Sequence, residues 1–78
     1  MGYGLGAEDA DKRKDAAEEL REDGGPPAAA VPHLMNAIQR ETDGEAREEM
    51  LVTLGASGAP DARAFIESYL RSLNGNRR

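Results

Sequence analysis

Asp43-Gly44-Glu45-Ala46-Arg47-Glu48-Glu49-Met50-Leu51-Val52-Thr53-Leu54-Gly55 is the stretch on which the fold turns. Thr42 and Asp43 offer an N-cap, because a short polar side chain there accepts a hydrogen bond from an orphan N–H of the first helical turn. Ala46, Met50, Leu51 and Leu54 then recur at the spacing of one helix face. The pattern predicts a helix from about residue 44 to 54, stopped by Gly55-Ala56-Ser57-Gly58-Ala59-Pro60. Glycine supplies the cap conformation and proline forbids continuation.

Working outward, three more helices are expected. One runs from about Asp9 to Asp23, with Ala10, Arg13, Ala16, Ala17 and Leu20 along one side, and is broken by Gly24-Gly25-Pro26-Pro27. Its stripe is mostly alanine and buries little. The next runs from about Ala28 to Arg40, with Val31, Leu34, Met35 and Ile38 at helical spacing and Pro32 in its first turn, where a missing N–H does no harm. The last runs from about Asp61 to Leu73 and carries the strongest stripe, Phe65, Ile66, Tyr69, Leu70 and Leu73. Asn74-Gly75-Asn76 is expected to close it. No segment alternates with period two for long enough to be a strand, so the expected fold class is all-α.

Displacing the chain along itself by 34 residues brings like onto like. Asp9 falls on Asp43, Arg13 on Arg47, Leu20 on Leu54, Gly24 on Gly58 and Pro26 on Pro60; Ala28 and Ala30 fall on Ala62 and Ala64, and Val31 on Phe65. The matches mark the helix start, the inward leucine, the break and the opening of the next helix. Self-similarity at such a period is the mark of stacked helical hairpins, each of which has an apolar face it cannot cover alone.

The quoted stretch resembles the HEAT pattern, in which an acidic turn precedes an arginine and an alanine/leucine face closing on Leu-Gly. Ala30-Val31-Pro32-His33-Leu34-Met35-Asn36-Ala37-Ile38 resembles the companion helix of the short HEAT-like repeats of phycobilisome lyase-type proteins. Asp11-Lys12-Arg13-Lys14-Asp15-Ala16-Ala17-Glu18-Glu19-Leu20 is a weaker copy of the first helix. Ile66 departs from the pattern, standing where the first copy has Pro32, and only two repeats are present. The resemblance implies four helices as two stacked antiparallel hairpins over residues 8–74, a short α-solenoid. It also implies that Asp9 with Arg13, and Asp43 with Arg47, hold the turns between helices. Residues 1–7 read as a flexible glycine-rich tail and 75–78 as a disordered basic one.

The chemistry-bearing residues form no catalytic constellation. There is no cysteine, which excludes disulfides and thiolate metal sites. His33 is the one histidine and reads as a helix-surface residue; no converging carboxylates give it a metal site. Ser57, Ser68 and Ser72 stand in no nucleophile-elbow pattern. Glu18-Glu19 and Glu48-Glu49 are adjacent along their helices and do not share a face. Asp43-Gly44-Glu45 lacks the ligand ladder of a calcium loop, and the glycines of residues 2–6 follow no strand and precede no P-loop lysine. No cofactor, no metal and no enzymatic activity are expected.

Charge narrows the partners. A formal net charge of -5 on 78 residues repels nucleic-acid phosphates and anionic lipid. No apolar run approaches the length of a membrane span, and the amino terminus lacks signal-peptide features. A cytoplasmic location is the expectation. What remains is a protein–protein interaction module, an adaptor or regulatory subunit, with Phe65, Ile66, Tyr69, Leu70, Leu73 and Met35 as its contact residues. The alternatives are self-association as a structural homodimer and an accessory subunit of a lyase-type enzyme.

Overall fold

The computed structural model describes residues 3–22 and 24–75. It is all-helical over those residues: α1 (Ala10–Arg21), a 3-10 turn (Ala28–Ala30), α2 (Val31–Arg40), α3 (Gly44–Ala56) and α4 (Pro60–Gly75). The expected Asn76 cap and the basic residues Arg77 and Arg78 lie outside the described residues, as does Asp23.

Both long-range copies begin with an aspartate cap. Asp9 Oδ1 accepts from the Asp11 N–H at 3.0 Å, and Asp43 Oδ2 accepts from the Ala46 N–H at 3.0 Å. α1 stops at Arg21, earlier than the glycines alone suggest, with Glu22 already extended at φ -69° and ψ 164°. The expected helix from Ala28 also begins differently. A regular α-turn there would draw a hydrogen bond from the N–H of residue 32, and Pro32 has none. Ala28 O instead accepts from the Val31 N–H, so the first turn winds as 3-10 and α2 proper starts at Val31. α3 ends on Ser57, whose hydroxyl donates to Leu54 O at 2.7 Å and accepts from the Ala59 N–H at 3.2 Å. Gly58 follows at φ +70° and Pro60 opens α4.

The core sits between α2 and α3. Leu34 and Ile38 from α2 meet Met50 and Leu54 from α3, all fully buried, with Ala62 of α4 and Ala17 of α1 closing the sides. α1 lies against α3 in parallel. Lys14 and Arg21, near its two ends, face Glu45 and Glu49, in that order, along α3. Ala17 and Ala46, both fully buried, allow the two helices to come close. Between them the buried Thr53 hydroxyl donates to Ala17 O at 2.7 Å and accepts from Arg21 Nη1 at 3.1 Å.

Two features differ from the sequence expectation. First, α1 rests on α3 and makes no backbone contact with α2, the helix that follows it. Second, residues 3–7 are not a free tail. Leu5 is 4% exposed and belongs to the core. Gly4, at φ +84°, brings this strap against α1, where a Cβ would lie 3.1 Å from that of Ala16. Tyr3 meets His33 of α2 edge to face at 5.4 Å. A side chain of the strap thus supplies bulk that α1 lacks.

Candidate interaction surface

The turn residues act together, though not as the resemblance implies. Among the described residues neither Asp9 with Arg13 nor Asp43 with Arg47 forms an ion pair. Both arginines converge on Glu41. Arg13 grips its carboxylate with two parallel bonds, Nε to Oε1 at 2.7 Å and Nη2 to Oε2 at 2.9 Å. Arg47 donates to its backbone carbonyl from Nε and Nη2 at 3.3 and 3.1 Å. Arg13 Nη1 also donates to Ala7 O and Glu8 O, each at 2.8 Å, and the Asp43 N–H donates to Glu41 Oε2 at 2.9 Å. One buried carboxylate therefore fastens the strap, α1 and the turn from α2 to α3. Hydrogen bonding from Arg13 holds the Glu41 carboxyl below the usual carboxylate range, against the opposing pull of burial. The same bond raises Arg13.

A small pocket of Leu5, Ala37, Arg40 and Thr42 opens beside this hub. Arg13 and Glu41 line it too, but they spend their hydrogen bonds on each other and on the backbone, which suits a clamp better than a catalytic pair. Lower along α1 and α3, Arg21 Nη1 lies 3.0 Å from Glu49 Oε1. Its hydrogen bond goes to Thr53, so Glu49 Oε1 receives the charge of the guanidinium without an aligned N–H. His33 is exposed on α2. Among the described residues no group of three or more metal-ligating side chains converges, and no helix is long and apolar enough to cross a membrane.

The residues expected to contact a partner divide into two sets. Met35, Phe65, Ile66 and Tyr69 are half-buried and pack on the core, with Phe65 and Tyr69 stacked at 6.2 Å. Leu70 and Leu73 are 48% and 44% exposed. They follow Ile66 at i+4 and i+7, so the three form one ridge along α4. The reason is the face on which they lie: Tyr69, one residue before Leu70, still packs on the core, while Leu70 and Leu73 turn away from it. At the other end the ridge meets a groove of about 520 Å³, lined by Gly55 of α3 and Ala59 of the α3–α4 connection with Pro60, Arg63, Ile66 and Glu67. Ile66 borders both, approaching the backbone of α3 at Gly55.

Sequence reading missed Leu5, an isolated leucine between glycines with no periodicity to mark it. It also missed Glu41, whose role depends on an arginine 28 residues away. Val52, 51% exposed on α3, is a further apolar residue outside the core. Comparison with protein-family models, with curated proteins and with solved structures finds no match.

Proposed function

We propose that this chain is a small protein–protein interaction module, HEAT-like in its repeat and in the stacking of α1 on α3, with no catalytic chemistry of its own, that binds its partner along α4. The observation that carries this reading is the ridge of Ile66, Leu70 and Leu73, whose outer two leucines are nearly half exposed side by side on one helix. Domains of this size are marginal and need their large side chains inside, so two leucines left outside favour a binding role. The HEAT-like reading is supported by the 34-residue repeat, by equivalent aspartate caps on α1 and α3, and by the parallel seating of those two helices, though α1 does not close a hairpin on α2.

The test is affinity capture from a native extract with the wild-type protein and with the Leu70→Glu/Leu73→Glu double variant, each checked by circular dichroism. Because both positions are exposed, the variant is expected to keep its melting temperature and to lose a protein that the wild type retains. Recovery of the same proteins by both, or of none by either, refutes the proposal.

A further inference from the structure

The strap of residues 3–7 spans two helices that make no backbone contact with each other, α1 and α2. Gly4 lies against Ala16 of α1, Tyr3 meets His33 of α2, and Leu5 shares a pocket wall with Arg13 and Ala37. Among the described residues its polar ties to the helices all come from one side chain. Arg13 Nη1 donates to Ala7 O and to Glu8 O beside it. The remaining bond, from the Ala7 N–H to Gly4 O at 3.3 Å, closes within the strap itself. Tyr3 stands at φ +61°, a region that a side chain disfavours, so its backbone relaxes when the strap lifts.

Arg13 is itself held in place. A guanidinium on a long stem loses rotamer freedom when it is fixed, and water competes for a side chain 18% exposed. Glu41 supplies the constraint. Its carboxylate is 1% exposed and takes Nε and Nη2 as a fork, which leaves Nη1 aimed at the strap. The other charged groups nearby are engaged elsewhere or stand aside. Arg47 of α3 is bound to the Glu41 backbone carbonyl, while Asp9 and Asp43 cap their helices. Glu8 meets Arg13 through its backbone carbonyl, and Arg40 of α2 is exposed at the pocket mouth.

We infer that the strap is a latch with the Glu41–Arg13 pair as its catch: breaking the pair frees the strap as a unit and opens the cleft between α1 and α2 while the four helices stay folded. The helices have ties of their own. α1 stays on α3 through Thr53, Ala17, Arg21 and Glu49, and α2 stays on α3 through the fully buried Leu34, Ile38, Met50 and Leu54. Segments with few buried contacts open at lower free energy than the whole fold. Lifting the strap removes Leu5 from the wall of the small pocket beside the hub, so the pocket and the seat of Leu5 become one opening. Because Arg13 holds the Glu41 carboxyl below the usual carboxylate range, the catch is shut at neutral pH. An uncharged side chain at position 41 opens it there.

Glu41→Gln is therefore the test. Glutamine keeps an oxygen for the Asp43 N–H and loses the charge that grips Arg13. A charge-assisted bond of this kind is expected to change the ratio of docked to free strap by at least about tenfold. In proton NMR at pH 7, the variant should lose the Overhauser contacts between Gly4 and the Ala16 methyl and between the Tyr3 and His33 rings. Its Leu5 methyl shifts should move toward those of an unstructured chain, with the helical circular dichroism spectrum kept. Thr53→Val, which touches no strap contact, should retain all of these signals. Leu5→Ala should lower the melting temperature in the Glu41→Gln background by less than about half of its effect in the wild type, because the strap is already out. Strap contacts that persist in Glu41→Gln, or a helical spectrum lost together with them, overturn the inference. So does their loss in Thr53→Val, or an equal effect of Leu5→Ala in both backgrounds.

Discussion

Leu5→Ala separates a strap that belongs to the fold from a tail that merely precedes it. Leu5 is 4% exposed within the core, and the substitution removes three carbons from a buried site. Leucine-to-alanine changes in cores cost about 2–5 kcal/mol, the lower values where the surroundings can collapse. The strap is short, carries glycines on both sides of Leu5 and can settle inward, so about 2–3 kcal/mol is expected. A domain of this length has about 4–12 kcal/mol of total stability, and 1 kcal/mol shifts its melting temperature by about 4–8 °C. The variant should therefore melt about 10–20 °C below the wild type, followed by circular dichroism at 222 nm. Tyr3→Ala is the control: Tyr3 is 43% exposed and meets His33 of α2 edge to face, so a shift of under about 5 °C is expected. A Leu5→Ala protein melting within about 3 °C of the wild type would refute the placement of Leu5 in the core.

Three further outcomes follow from the same contacts. Thr53→Val keeps the shape but removes the hydroxyl between Ala17 O and Arg21, and should cost about 1–2 kcal/mol in urea unfolding; no change would mean that water replaces the hydroxyl there. Glu41 has its pKa lowered in the folded chain, so its contribution is fully present above the unfolded carboxyl value and is lost as pH falls through the folded one. The urea midpoint of Glu41→Gln should thus lie below that of the wild type at pH 7, and the gap should close as the pH drops below about 4; a gap independent of pH contradicts the assignment. Gly25 sits at φ +105° with a Cβ position 3.2 Å from Ala56 O, whereas Gly24, at φ +95°, has open space around it. Gly25→Ala should therefore lower the melting temperature more than Gly24→Ala does, both losing the backbone term of about 1 kcal/mol and only the first meeting a backbone oxygen.

The helices were legible because their signals are local. An aspartate cap, an apolar periodicity and a glycine–proline break lie within one turn of what they specify, which is why α3 could be placed from thirteen residues. Where one such signal contradicted another, the boundary moved: Pro32 reads as a tolerable early residue of a helix from Ala28, yet its missing N–H turns Ala28–Ala30 into 3-10. Contacts between distant segments were not legible. The HEAT resemblance implies Asp9 as the partner of Arg13, while its carboxylate is Glu41, in a turn that the packing of α1 on α3 brings near. The candidate surface was legible in part. The apolar stripe of α4 was plain, but which of its residues stay outside depends on which edge of that stripe turns to α2 and α3, which no single stripe encodes.

The seating of α1 on α3 has a consequence for a chain leaving the ribosome. Of the four helices α1 emerges first, with four carboxylates and four basic residues among its twelve positions and only Ala16, Ala17 and Leu20 to pack on the core. Nothing that emerges next offers it a seat, since α2 is not its neighbour. Thr53 and Ala46 must clear the exit tunnel before the first helix can dock, and by then Leu34 and Ile38 have Met50 and Leu54 to close on. Of these four helices α1 is made first, yet the seat it takes is complete only once α3 has followed.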